Sequence, residues 1–269
     1  QIANMHTLFN VVTTILLLPF GVSLARLAAR ILPERKEEAD TSMHLEFLHA
    51  GESGRETGIG QSAIALDGIQ KELLRMMSMA EQNVKDSFDA VQDGTTRLLR
   101  TVTEREEYID FLNKEISKYI SGVLAKETNP QTSRQISVLF KVCGNLERIG
   151  DHAMNICEYT RLMEAKGISF SQAAREEIRS MQKISLEAME NMKAIGESAG
   201  KDIGEIERME QKIDDMTEQY RANQMNRLHG GQCSDEACVL YSEMLTDFER
   251  IGDHILNIGQ EMGMGKVSA

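Results

Sequence analysis

The hexapeptide ERIGDH occupies residues 147–152 and recurs unchanged at residues 249–254, 102 positions later. Each copy is followed, at the same spacing, by an Asn-Ile pair. Two identical hexapeptides in a chain of 269 residues are improbable by chance. The repeat therefore predicts an internal duplication, in which two copies of one supersecondary unit stack together.

Apolar residues recur at spacings of three and four from residue 61 onwards, which is typical of amphipathic helices. The chain contains three prolines and no tryptophan, and this composition argues against a β-sandwich or barrel. The turn-forming residues between the apolar runs are Gly94, Asn129-Pro130, Gly167, Gly200 and Gly230-Gly231. The pattern predicts an all-α fold of six helices, arranged as two repeated three-helix bundles over residues 61–166 and 168–264.

The charge balance excludes one class of partner. The chain has 30 Lys and Arg against 42 Asp and Glu, and its net charge of -12 repels nucleic-acid backbones and attracts cations. Cys233 and Cys238, with His229 nearby, have half the ligands of a zinc site, but their spacing fits no standard finger. We expect the four cysteines to be reduced thiols in or beside a helical core.

The first 33 residues have a different composition. No charged residue occurs from Thr7 to Ala25, and a helix of this length rises about 28 Å, close to the thickness of a bilayer core. Basic residues follow this run and none precede it, which disfavours a signal peptide and favours a cytoplasmic location for everything after residue 33. We predict a transmembrane helix over residues 1–33, with a buried helix of a globular domain as the alternative.

Residues 34–60 are predicted to be a linker, because they contain the charged stretch ERKEEAD and the glycine-rich stretch GESGRETGIG. The chain begins with Gln rather than Met. From this we expect it to be the tail of a longer protein.

Acidic residues recur four positions apart at equivalent places in the two predicted bundles. At this spacing two carboxylates lie on one face of a helix, about one turn apart. Each aspartate follows a residue of the apolar seam, so facing pairs on two helices would bring four carboxylates together at the helix–helix groove. The eight candidate metal ligands are Glu106, Asp110, Glu147, Asp151, Glu210, Asp214, Glu249 and Asp253.

Four close carboxylates require a multivalent cation to offset their repulsion. Oxygen ligands suit Mg, Ca, Mn or Fe, and zinc is less favoured. The alternative is a solvated acidic face, or pairing of the carboxylates with Arg148 or Arg250 across the interface. We expect His152 and His254 to be helix-packing residues or to support the ligands, because each lies about 140° around the helix from its glutamate.

Two further features bear on the site. Gly150 and Gly252 lie on the predicted seam inside helices, where glycine costs about 1 kcal/mol relative to alanine, so we expect another helix or a ligand to approach closely there. No phosphate-binding glycine loop after a strand and no H-E-x-x-H motif is present, and neither ERIGDH copy has the Glu-x-x-His spacing of di-iron bundles. We predict neither catalytic residues nor an organic cofactor. A carboxylate-bridged metal enzyme remains the competing interpretation.

The two copies of ERIGDHxxNI, each preceded by a helix with Glu-x-x-x-Asp, resemble the signature of PhoU-like domains over about residues 60–264. The resemblance implies two three-helix bundles linked to phosphate uptake and its regulation. It also implies di- or trivalent metal ions, Fe, Mn, Mg or Zn, held by E/D-x-x-x-D pairs. The matching positions are the same eight carboxylates, with Glu106 and Glu210 in the less regular helices.

The segment QIANMHTLFNVVTTILLLPF resembles the last membrane helix of bacterial sodium-dependent phosphate cotransporters. Together the two resemblances imply the C-terminal portion of a sodium:phosphate symporter in the bacterial inner membrane, with a cytoplasmic PhoU-like regulatory domain. Sodium and phosphate would bind the transporter core, which this chain lacks. The implied partners are the membrane, the transporter's cytoplasmic face or another regulatory protein, and a second copy of the chain. The alternative is a membrane-anchored PhoU-like regulator without transport activity.

Overall fold

The computed structural model describes residues 43–48, 61–197 and 203–267. The described chain is all-α and contains the six helices that the apolar spacing predicts. They are α1 (Gln61–Asp93), α2 (Leu99–Leu124), α3 (Pro130–Lys166), α4 (Gln172–Glu197), α5 (Gly204–His229) and α6 (Asp235–Val267). A short 3-10 helix, Thr96–Leu98, leads into α2.

The chain turns where the sequence places its turn-forming residues. Asn129 caps α3 by accepting a hydrogen bond from the Gln131 N–H at 2.9 Å, and Pro130 occupies the first turn, where no N–H is needed. Gly167 ends the same helix with φ 63°, a left-handed conformation that glycine adopts without a steric penalty. Gly94 and Gly231 have the same conformation at two other turns. Gly200 lies outside the described residues.

The helices form two triplets with the same up-down-up order. In the first triplet, Ser62 at the start of α1 donates to Glu127 after the end of α2, and Thr96 after α1 donates to Glu164 near the end of α3. In the second triplet, α4, α5 and α6 pack on one another in the same way. Helices α1 and α3 of the first triplet pack against α4 and α6 of the second.

One continuous apolar core joins the two triplets. The seam predicted for α3 is buried along its whole length, from Ile136 to Cys157, and the seam predicted for α6 is buried from Cys238 to Ile255. Phe88 of α1 and Phe248 of α6 meet edge to face across the triplets, with ring centroids 6.5 Å apart. The three-and-four spacing therefore identified the core correctly. The division into bundles at residues 166–168 stays a prediction.

An isoleucine on the middle helix of each triplet packs against a glycine on the last helix. A Cβ added to Gly150 would lie 3.2 Å from Ile109 Cδ1, and one added to Gly252 would lie 3.0 Å from Ile213 Cγ2. The two contacts occupy equivalent places in the repeat, and they confirm that the seam glycines allow another helix to approach. They fix α2 against α3 and α5 against α6 at the level of the acidic pairs.

The predicted membrane helix of residues 1–33 lies outside the described residues. Within residues 43–48, 61–197 and 203–267, no helix combines the length and the apolar run that a bilayer crossing requires. The described helices instead carry charged side chains along their exposed faces.

Gly252→Ala should destabilise the folded chain by about 1–3 kcal/mol, because its new methyl group would crowd Ile213. The matched control is Gly144→Ala, where a Cβ on the same kind of helix would meet nothing within 4 Å. That variant should gain about 1 kcal/mol through its higher helix propensity. Urea unfolding followed by circular dichroism measures both, and equal stabilisation of the two variants would contradict the packing argument.

Candidate metal centre

The eight predicted ligands lie beside the isoleucine–glycine contacts. Asp110 and Asp214 directly follow the contacting isoleucines of α2 and α5, whereas Asp151 and Asp253 directly follow the contacting glycines of α3 and α6. Each pair of helices therefore presents its carboxylates at the rim of a close helix–helix contact. The position of each aspartate beside the contact follows from the sequence, because the aspartate and the buried seam residue are neighbours in the chain.

The second acidic cluster consists of Glu210, Asp214 and Asp253. One carboxylate oxygen of each lies within 4.8 Å of the other two, and all three side chains are half-buried. Among the described residues, this is the group whose carboxylates approach closely enough to hold one ion. Glu249 does not belong to it, although the sequence predicted a fourth ligand there.

Glu210 and Asp214 of the second cluster have raised pKa values. Partial burial, followed by the charges of Asp214 and Asp253, raises the pKa of Glu210. Partial burial and the charge of Asp253 likewise raise the pKa of Asp214. The cluster therefore holds more negative charge than its environment stabilises, and a multivalent cation would relieve the repulsion.

The first acidic cluster consists of Glu106, Asp110, Glu147 and Asp151. Partial burial and the charges of Asp151 and Asp110 raise the pKa of Glu106 to about 7, and the protonated Glu106 carboxyl is hydrogen-bonded to Asp151. Partial burial and the same two aspartates raise the pKa of Glu147. All four predicted ligands thus interact in this cluster.

Arginine partly offsets the charge of each cluster. Arg250 Nη1 lies 3.2 Å from Asp253 Oδ2, an ion pair within one helix turn and not across the helix–helix interface. Arg148 lowers the pKa of Glu147 and of Asp151, but less than partial burial and the neighbouring carboxylates raise them. The alternative interpretation, in which arginine alone satisfies the acidic pairs, therefore accounts for only part of the arrangement.

The donor set fits a hard cation. Three carboxylates within 4.8 Å offer only oxygen atoms, which Mg, Mn and Fe accept as ligands. No cysteine or histidine belongs to the close group of the described residues, so the softer donors that zinc prefers are missing. The three carboxylates therefore form an all-oxygen donor set at the helix–helix groove.

His152 and His254, the histidines of the two ERIGDH copies, pack between the triplets and belong to neither acidic cluster. His152 and His254 stack with ring centroids 5.6 Å apart. His152 Nδ1 lies 2.8 Å from Asp247 Oδ1, and His254 Nδ1 lies 2.9 Å from Asn145 Oδ1. Burial, followed by the charge of His152, lowers the pKa of His254 to about 4. The prediction of packing histidines is confirmed.

Sequence reasoning missed the buried residue Asp247, which is 7% exposed and joins the triplets. It accepts hydrogen bonds from Asn155 at 3.2 Å and from the Tyr159 hydroxyl at 2.6 Å, besides its contact with His152. The signal that could have identified it is the repeat itself, since Asn145 and Asp247 are separated by the same 102 positions as the hexapeptides.

The cysteines are free thiols, as predicted. Burial raises the pKa of Cys143 to about 12 and that of Cys157 to about 11, so both are protonated at neutral pH. Cys238 is buried and Cys233 is half-buried beside the start of α6.

Comparisons with known proteins agree with this architecture. The chain matches the family model described as PhoU domain over residues 73–160 and 175–262. It is 26% identical over 197 residues to the phosphate-specific transport system accessory protein PhoU homolog 1 of Thermotoga maritima, which covers 72% of this chain and 84% of that protein. It is 30% identical over 100 residues to PhoU of Escherichia coli, 36% of this chain and 41% of that protein.

The crystal structure of PhoU from Pseudomonas aeruginosa has the same fold, with a TM-score of 0.72 at 20% identity, over 78% of this chain and 100% of that one. The two blocks matched by the family model fall one on each triplet. The duplication in the sequence is therefore a pair of PhoU domains, and the resemblance drawn from the hexapeptides is confirmed.

The predicted location in the bacterial inner membrane is wrong. The matched fold is a helical bundle that accounts for 78% of the chain, and the relatives are named as accessory proteins. The prediction depended on an uncharged run of residues, and length and lack of charge do not distinguish a membrane span from a helix buried in protein.

Glu106→Gln should remove part of the pH dependence of stability in the metal-free protein. The Glu106 carboxyl titrates at about 7 in the folded chain and at its ordinary 4.5 when unfolded, so the folded state binds more protons between these values. Its contribution to stability is present in full below pH 4.5 and is lost as the pH rises through about 7.

The measurement is urea unfolding in the presence of a chelator across this pH range. Relative to the wild type, the free energy of unfolding of Glu106→Gln should rise with pH. Glu190→Gln, an exposed residue of α4, serves as the control and should follow the wild type. Parallel curves for Glu106→Gln and the wild type would show that the first cluster carries no excess charge.

Proposed function

The chain belongs to the PhoU domain family, and on that premise we propose that it is an accessory regulator of phosphate transport that binds metal ions through its two acidic clusters. The observation that carries the proposal is that the duplicated carboxylates lie inside the two blocks matched by the family model. Both matched blocks contain one acidic cluster, at the same contact between their middle and last helices.

A regulator without transport activity has better support than a portion of a sodium:phosphate symporter. The Thermotoga maritima relative, which matches 72% of the chain, is named as a phosphate-specific transport system accessory protein, and the match to the family model begins at residue 73. The symporter interpretation depended on residues 1–33, which lie outside the described residues. The partner that follows from the relatives' names is a phosphate transport system or a protein that controls one.

Metal binding is the proposed role of the acidic clusters. In the second cluster, Glu210, Asp214 and Asp253 would hold one ion, and in the first cluster Asp110 and Asp151 would do so with Glu106 and Glu147. An ion would supply positive charge at a groove where partial burial and the neighbouring carboxylates raise the pKa of Glu210 and of Asp214. Mg, Mn and Fe are the favoured ions because all donors are carboxylate oxygens.

The proposed role is not catalytic. The clusters lie at the surface, with Asp110 and Asp151 exposed, so they lack the water-excluding pocket that metal enzymes build around a reacting group. The two histidines that could act as bases lie between the triplets, where Asp247 and Asn145 engage their Nδ1 atoms. These contacts support a binding or sensing element.

Asp253→Asn should weaken the binding of Mn²⁺ by about tenfold or more, because it removes one of the three converging carboxylates. Glu249→Gln, on the same helix but outside the group, should bind Mn²⁺ like the wild type in the second cluster. Binding should also be tighter at neutral than at acidic pH, because ligands with raised pKa values must lose protons first.

Isothermal titration and the metal-induced rise in melting temperature measure this binding. To isolate the second cluster, the variants are compared in a background carrying Asp110→Asn and Asp151→Asn. If the wild type bound none of Mg²⁺, Mn²⁺, Fe²⁺ or Zn²⁺, the metal part of the proposal would fail. If Glu249→Gln lost as much as Asp253→Asn, the ligand set would be different from the one described.

The regulatory part is tested in the source organism. Deleting the gene should change the rate of phosphate uptake or its response to phosphate starvation, and the Asp214→Asn, Asp253→Asn double variant should reproduce part of that change. Uptake of labelled phosphate measures both, with Glu190→Gln as the control on an exposed helix face. Unchanged uptake in the deletion strain would overturn the proposed function, whatever the metal titrations show.

A further inference from the structure

Residues 43–48 lie against α1, inside the stretch that the sequence predicts to be a linker. Leu48 is 4% exposed, and it packs where α1 has a glycine. A Cβ added to Gly68 would lie 2.8 Å from Leu48 Cδ2 and 2.9 Å from the Phe47 carbonyl oxygen. These are the closest atoms around that position. The segment can therefore pack here because Gly68 has no side chain.

Three side chains of the first triplet bind the main chain of this segment. The Phe47 N–H donates to Glu72 Oε1 at 2.7 Å. The His44 carbonyl oxygen accepts from Arg75 Nη2 at 2.7 Å and from the Tyr108 hydroxyl at 3.2 Å. Main-chain hydrogen bonds combined with one side-chain pocket are the means by which protein grooves bind extended peptides.

The groove is built from buried, oriented groups. Glu72 is 0% exposed, and its other oxygen accepts from Arg75 Nε at 3.0 Å and Nη2 at 2.9 Å. Arg75 in turn donates to Tyr108 at 2.9 Å and stacks over the Tyr108 ring. A buried carboxylate must be paired and hydrogen-bonded, and here one of its partners is the main chain of residue 47.

Leu48 anchors the segment, and the Leu45 side chain is partly buried against the same apolar core. Glu46 Oε1 lies 3.7 Å from Arg75 Nη1, whereas Met43 is 39% exposed and Phe47 is 43% exposed. Such a site selects a short segment with aliphatic residues at two positions, and it holds the main chain through the hydrogen bonds described above.

We propose that Gly68, Glu72, Arg75 and Tyr108 form a peptide-binding groove that takes a short, bent segment with an aliphatic anchor, and that residues 43–48 occupy it in cis. The groove would thereby attach the N-terminal part of the chain to the first triplet through an exchangeable contact. This proposal does not depend on the acidic clusters or on metal binding.

The first test is hydrogen exchange of the full chain. Gly68→Ala should raise the exchange rate of the Phe47 and Leu48 amides by about tenfold or more, because the new methyl group occupies the space of Leu48. Gly144→Ala introduces the same methyl group into open space on α3 and should leave these amides unchanged. If the Phe47 amide stayed protected from exchange in Gly68→Ala, the assigned position of residues 43–48 against α1 would be wrong.

The second test asks whether the groove binds a peptide. Leu48→Ser in the full chain should vacate the groove without altering it, so that a synthetic peptide of residues 42–49 binds this variant in an NMR titration. The wild type should bind the peptide at least about tenfold more weakly, because its own segment competes at an effective concentration of about millimolar. The Leu48→Ser, Gly68→Ala double variant should bind none.

The Leu48→Ser, Gly144→Ala double variant is the control for an added helix methyl group, and it should bind the peptide like Leu48→Ser. Thermal unfolding confirms that each variant is folded. Hydrogen exchange of residues 43–48 shows whether the segment has left the groove of the folded Leu48→Ser chain. If it has left and the peptide still does not bind, the proposal is wrong. Equal binding of the peptide by the wild type and by Leu48→Ser would also overturn it.

Discussion

The contact of an isoleucine with a glycine, made at the equivalent place in each triplet, is the constraint on which the candidate site depends. Ile109 against Gly150 and Ile213 against Gly252 bring two helices closer than side chains on both would allow. The carboxylates next to these residues are thereby held near one another before any ion binds. Partial burial and their mutual repulsion raise the pKa of Glu106 and of Glu210, and the apolar packing beneath them maintains both effects.

Most of the fold follows from local sequence signals. The spacing of residues such as Ile136, Leu139 and Cys143 places them on one helix face, and burying that face requires partner helices. The glycines at positions 94 and 167 mark turns because glycine adopts their left-handed conformation freely. The repeat of ERIGDH then identifies the two halves as copies, which fixes the number of helices and their order.

The site was predicted less completely, because periodicity assigns a residue to a face but does not measure distances across a groove. Spacing alone treats Glu147 and Glu249 alike, yet Glu147 interacts with Asp151 and Asp110, whereas Glu249 lies outside the close group of the second cluster. The burial of Asp247 and of Leu48 results from contacts with segments that are far away in the sequence. No local pattern encodes such contacts.

The contacts between α3 and α6 also decide which surfaces can meet. With the 102-residue offset, Asn145 corresponds to Asp247, Tyr159 to Glu261 and Lys141 to Glu243. In the folded chain Tyr159 donates to Asp247, and Lys141 pairs with Glu261 at 2.9 Å. If two second triplets from different chains docked in this geometry, Asp247 would face Glu261 and Glu261 would face Glu243. Like charges at an interface cost several kcal/mol. Divergence of the duplicated halves has therefore made them complementary to each other, and the second half disfavours docking against a second copy of itself.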